Sequence, residues 1–154
     1  MSVALPIQLV AGDTGMYPCL ITGGTITSAV LAIAVELADG YSYIVEDNTG
    51  KIKKDDVVVY TIPSGTYVEA DDNGKLIINV VQEVSSESTS NNVTFVLDAA
   101  FTDSFKPGKY SYDILVKQTN ELVSGEAKYT PIYTNAFNVL PRVNKIIIPV
   151  QVSS

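Results

Sequence analysis

Any chemistry this chain performs would have to come from carboxylates, a single thiol and tyrosines, because the sequence has no histidine and no tryptophan. Without an imidazole, the commonest general base and the commonest transition-metal ligand are missing, and a Ser-His-Asp triad cannot be assembled. Carboxylates occur as neighbours at Asp55-Asp56 and Asp71-Asp72. Adjacent strand residues point to opposite faces, and adjacent turn residues point into water, so both pairs are expected to be solvated charge rather than an acid–base pair. Glu69, Asp71, Asn73 and Gly74 are spaced like the opening of a calcium loop, but the bidentate acid of such a loop would fall at Val80. Asn73-Gly74 reads instead as a hairpin turn. Cys19, next to Leu20 and Ile21, has no histidine to take its proton and reads as an inert core thiol. "GTITSA" (Gly24 to Ala29) lacks the lysine of a phosphate loop. These residues predict no catalytic group, no metal and no cofactor.

The totals narrow the partners. The formal net charge is −7 with a sequence pI near 4.4, and the ten Lys and Arg are scattered. No basic footprint exists for neutralising phosphates, which argues against direct binding of DNA or RNA. Hydrophobic residues make up 46% of the 154 and charged residues 18%. That balance argues for a folded chain, with part of its apolar surface covered by partners. One cysteine allows no internal disulfide. No stretch of about 18 apolar residues is present to cross a membrane. "MSVALPIQLVAGD" lacks the charged and apolar regions of a signal peptide, so the expectation is a protein made and kept in the cytoplasm, or one that leaves by a route other than a cleaved signal. Asn92-Val93-Thr94 matches a glycosylation sequon that has no meaning in that setting.

Residues that alternate every second position must be held by strands. Tyr110, Tyr112, Ile114 and Val116 share one face; Ser111, Asp113 and Lys117 share the other, with Leu115 the one apolar exception. "DVVVYTI", "KLIINVV", "NVTFVLD" and "NKIIIPV" are further short strands. "EDNTGK", "DDNGK" and "KPGK" are turns. "SAVLAIAVELADG" (Ser28 to Gly40) has helix-forming residues, but Leu31, Ile33, Val35 and Leu37 alternate; a strand ending at Asp39-Gly40 is the expectation and a short helix the alternative. "EVSSESTSNN" (Glu83 to Asn92) reads as a loop. The pattern predicts an all-β, immunoglobulin-like antiparallel sandwich of about seven to nine strands. It forms one domain over residues 1–154, with extended arms at 1–10 and 142–154. Leu5, Ile7, Leu9, Ile146, Ile147, Ile148 and Val150 are the strand-forming residues of those arms, suited to adding a strand to a neighbour's sheet.

"DSFKPGKYSY" reads as a corner. Pro107 and Gly108 turn the chain, Tyr110 closes the corner through its hydroxyl, and Tyr112 points inward. "GDT" (Gly12 to Thr14), "TFVLD" (Thr94 to Asp98), "FKPGKYSYDILV" and "AFNVLP" form an ordered series over roughly Leu9 to Leu140. In it the chain resembles the N-terminal β-sandwich domain of phage baseplate upper proteins and related immunoglobulin-like domains of phage virions. Thr22 to Ser64 departs from that pattern. The resemblance implies a structural component of a tailed-phage virion, such as a baseplate or tail adaptor or a capsid accessory or head-fibre protein. Such a component assembles in the bacterial cytoplasm through contacts with other virion proteins and with copies of itself. The alternative is a carbohydrate-binding module for host-surface glycans, using Tyr41, Tyr43, Tyr60, Tyr67, Tyr129 or Tyr133. With no tryptophan platform, core or interface packing is the expected use of these rings.

Overall fold

The computed structural model describes residues 6–22, 26–71, 75–84, 90–123 and 126–142. In chain order the elements are β1 (Ile7–Val10), β2 (Gly15–Thr22), β3 (Ile26–Glu36), β4 (Tyr41–Glu46), β5 (Thr49–Lys54), β6 (Val57–Thr61), β7 (Thr66–Ala70), β8 (Lys75–Glu83), β9 (Ser90–Leu97), a one-turn helix α1 (Ala99–Thr102), β10 (Gly108–Val123) and β11 (Glu126–Leu140). A six-stranded sheet runs in the order β1-β11-β10-β3-β8-β7. Across from it lie a two-stranded sheet, β2-β9, and a three-stranded meander, β4-β5-β6. Both contribute side chains to the same hydrophobic core, which makes the all-β architecture an immunoglobulin-like sandwich.

β3 shows why this sequence is a strand. Leu31, Ile33 and Val35 are completely buried in the core, while Ala32 and Ala34 alternate to the outward face. It pairs along its length with β10 on one side and β8 on the other. A helix would have spread the same apolar residues around a cylinder; the sandwich needs them on one side. The strand is followed by a turn in which Gly40 takes φ +86°. Phe95, Phe101, Phe105 and Phe137 fill the core from β9, α1, the segment after it and β11.

Two expectations need correction. Among the described residues there are eleven strands rather than seven to nine, because the segment that departs from the family pattern adds the meander β4-β5-β6. The arm at 1–10 is also not free over its last residues. Ile7 to Val10 pair in parallel with Phe137 to Leu140 of the chain's own β11, and Leu9 is 4% exposed. Apolar alternation in "IQLV" is satisfied inside the sandwich, where Ile7 and Leu9 pack as part of the chain's own sheet rather than as a free arm. Leu5, Ile146, Ile147, Ile148, Val150 and the Asn73-Gly74 turn lie outside the described residues.

The carboxylate pair Asp55-Asp56 has a backbone explanation. Both residues have positive φ, 50° and 69°, in the two-residue loop joining β5 to β6, and Asp47 and Asn48 do the same, at 53° and 62°, between β4 and β5. Two successive left-handed residues define the tight hairpin turn whose twist matches the strands. Replacing Asp55-Asp56 by Asn-Gly should raise stability by about 1 kcal/mol in urea titration, since the second position then carries no Cβ penalty. Phe95→Ala should cost about 3–5 kcal/mol in the same measurement.

Candidate interaction surface

The segment from Asp98 to Tyr110 ties the molecule together. The Tyr110 hydroxyl donates to the Lys106 carbonyl at 2.6 Å, across the turn containing Pro107 and Gly108. Its ring lies over Gly108, where a Cβ would meet the phenol oxygen at 3.2 Å. Tyr112 points into the core and is 4% exposed. The same corner reaches four other elements. The Lys106 amide donates to the Glu36 carbonyl at the end of β3. Tyr60 of β6 stacks on Phe101 at 4.8 Å and donates its hydroxyl to Asp98 at 3.0 Å. Tyr41 of β4 donates to Asp103 at 3.2 Å. Thr102, fully buried, accepts from the Gly12 amide at 3.1 Å and donates to the Asp13 carbonyl at 2.7 Å. Gly12 takes φ +91°, and the Asp13 carboxylate pairs with Arg142, whose Nε donates to the Ala11 carbonyl. Gly-Asp-Thr is therefore a turn clamped by α1 on one side and by the chain beyond β11 on the other.

This assembly is structural rather than reactive. Burial pushes the Cys19 thiol up, away from the thiolate form a nucleophile needs. Burial, then the hydrogen bond and charge of Asp98, raise the Tyr60 phenol. Among the described residues no group of three or more Cys, Asp or Glu is placed to hold a metal ion. A concavity of about 500 Å³ lies between the β3–β4 connection and β7, with Glu36, Asp39, Tyr41, Tyr43, Asp71 and Leu76 among its walls. A glycan platform needs a free aromatic face, and the two tyrosines here are occupied. Lys54 sits over the Tyr41 ring, and Tyr43 donates to the Val68 carbonyl while its ring packs beside Gly50. Of the remaining candidates, Tyr60 is stacked on Phe101, Tyr133 is half-buried and Tyr67 is exposed. The side chain of Tyr129 lies outside the described residues.

Tyr67 leads to the surface that the sequence reading missed. It lies on the outward face of the six-stranded sheet, in a row of register partners that runs Tyr67, Asn79, Ala32, Asp113, Thr134. The next row runs Glu69, Ile77, Ala34, Ser111, Ala136. A third joins Val81, Val30, Leu115 and Pro131, which explains the apolar exception at Leu115. Outward faces of antiparallel sheets are usually polar. Here the middle is small and uncharged apart from Asp113, whose carboxylate accepts from Thr134 at 2.5 Å. Tyr67 (63% exposed) and Ile77 (45%) stand above this shallow trough as a ridge. The signal was available in "LAIAV" (Leu31 to Val35), where large residues alternate with small ones instead of polar ones.

The edges are less inviting than the face. Pro18 sits mid-way along β2, where a missing N–H is tolerated only if it faces the unpaired side. Pro6 precedes β1, and the β5–β6 ladder is broken by an extra residue at Val59. A second apolar strip, Met16 and its cross-strand partner Val96, is exposed on the outward face of β2-β9.

No protein-family model and no curated protein matches the sequence. Two solved structures are similar in outline. One is a voltage-gated sodium channel β subunit analysed for multimeric cell-adhesive interactions, at 14% identity and TM-score 0.34, over 92% of this chain and 96% of that one. The other is a parallel homodimer of the extracellular domain of the voltage-gated sodium channel β4 subunit, at 16% identity and TM-score 0.32, over 93% and 98%.

Two variants test the internal chemistry. Tyr110→Phe keeps the ring and removes the corner hydrogen bond, and should lower stability by about 1 kcal/mol in denaturant titration. Tyr17 packs edge-on against Phe137, and its buried hydroxyl has no hydrogen-bond partner. Burial pushes this phenol up to about 12 from 10.0. Above the unfolded value the unfolded chain ionises first, so stability should fall as pH rises through that interval. Tyr17→Phe should flatten that alkaline loss without weakening the protein at neutral pH.

Proposed function

We propose that this chain is a non-catalytic structural module that works through protein–protein contacts, as a component of a tailed-phage virion. The observation that carries the contact role is the outward face of the six-stranded sheet. Its central rows are small, nearly uncharged and broad, on a chain whose net charge of −7 is spread elsewhere. Exposed patches of this kind mark partner surfaces. The ordered series from Gly-Asp-Thr to "AFNVLP" supports placing those contacts in a phage particle, with other virion proteins and copies of the chain as partners. "NKIIIPVQV" (Asn144 to Val152) has the composition of a strand that can be donated to a neighbouring sheet.

The test is mass spectrometry of density-purified particles from the phage whose genome encodes this sequence. Recovery at a fixed copy number per particle, retained after high-salt washing, supports the proposal. Absence from particles, together with selective binding on a glycan array, would replace it with the carbohydrate module. A chain lacking residues 143–154 should lose particle incorporation if the C-terminal strand is donated; full incorporation would remove that segment from the interface.

A further inference from the structure

We infer that the partner on the outward face of the six-stranded sheet is a second copy of this chain, packed face to face about a two-fold axis running along β3. This inference rests on the contact role proposed above and supplies the partner and the geometry.

In the row containing Ile77, Ala34 and Ser111, a bulky side chain on β8 and a small one on β10 lie at equal distances on either side of β3. A two-fold along β3 therefore sets the ridge of one copy into the trough of the other: Ile77 falls on the partner copy's Ser111 position, and the two Ala34 methyl groups meet at the axis. In the two alanine rows the small residues at the axis let the sheets approach to about 10 Å, the ordinary spacing of packed sheets; the Val81, Val30, Leu115 row is bulky throughout and bounds that close contact.

Polarity follows the same symmetry. Asn79 and Asp113 flank Ala32 in the neighbouring row, so the operation brings a side-chain amide, which donates, onto a carboxylate, which accepts. Further along, Lys117 and Glu83 flank Ser28, and the operation pairs each with its opposite charge. A chain of net charge −7 repels its own copies over most of its surface. Here the centre carries one carboxylate with a donor opposite and the Ser28 end pairs unlike charges, while at the other end of β3 the axis sets each Glu36 against its own copy, a like-charge contact that weakens the dimer.

Area sets the strength. Six strands at about 4.8 Å and about seven residues at 3.3 Å give a face of roughly 600 Å². Stable standard-size interfaces bury about 800 Å² per partner. This places the dimer at the low end, reversible and visible only as concentration rises.

Light scattering coupled to size exclusion, across a range of concentrations, should show the mass rising from 16.5 kDa toward twice that value. Ala34→Arg puts two guanidinium groups at the axis and should weaken association at least ~10-fold. Ile77→Asp, exposed and less exposed to folding defects, should do the same. Thermal melts establish that both variants fold. Lys117→Glu should weaken the dimer, and adding Glu83→Lys should restore it. A wild-type protein that stays monomeric at the highest soluble concentration overturns the dimer and leaves the virion role to be judged by particle composition. A dimer indifferent to Ala34→Arg, Ile77→Asp and the charge swap overturns this face as its interface.

Discussion

The buried hydroxyl of Thr102 is the contact on which the remaining structure depends. It accepts from the Gly12 amide and donates to the Asp13 carbonyl, in a core otherwise almost wholly apolar. Through it the one-turn helix α1 grips the β1–β2 turn. The same short segment holds β3 through the Lys106 amide, the meander through Phe101 and Asp98, and β10 through Tyr110. The six-stranded sheet and the strands across from it share no strand-to-strand ladder, and apart from the Tyr43 hydroxyl on the Val68 carbonyl they would otherwise be joined mainly by side-chain packing, which is tolerant of sliding. Directional bonds to buried backbone groups fix the relative position of the layers, and leaving any of those groups unpaired would cost about 1–3 kcal/mol.

Much of this was legible in the sequence. Period-2 alternation located β6, β8, β9 and β10, and the spacing of Pro107, Gly108, Tyr110 and Tyr112 anticipated a corner whose hydrogen bond is present between Tyr110 and Lys106. Asp47-Asn48 and Asp55-Asp56 were legible as turn or solvent-facing residues, but their left-handed backbone was not, because that depends on the pairing of the flanking strands. The pairing of β1 with β11 was illegible for a different reason. Four residues of alternating apolar character fit a neighbour's sheet as well as their own, and only the register at Phe137 to Leu140 decides between them.

The outward face escaped sequence reading because the usual criterion asks whether a residue is polar or apolar. Between Leu31 and Val35 both faces of β3 are apolar, and what separates them is size: Leu31, Ile33 and Val35 inside, Ala32 and Ala34 outside. Alanine scores as a helix former and as a core residue, so its placement at alternate positions was absorbed into those readings. Near-continuous apolar runs of this kind are expected of strands in the middle of a sheet.

The prolines at positions 6 and 18 and the extra residue at Val59 change what kind of aggregate this molecule can make. Edge-to-edge pairing has no natural end, since each added sheet presents a fresh edge, and it leads to fibres. Blunting at β1, β2 and β6 disfavours that route at three of the edges. Association through a flat face closes on itself after a fixed number of copies. Under the face-to-face pairing proposed above, growth stops at a complete complex instead of continuing into a fibre.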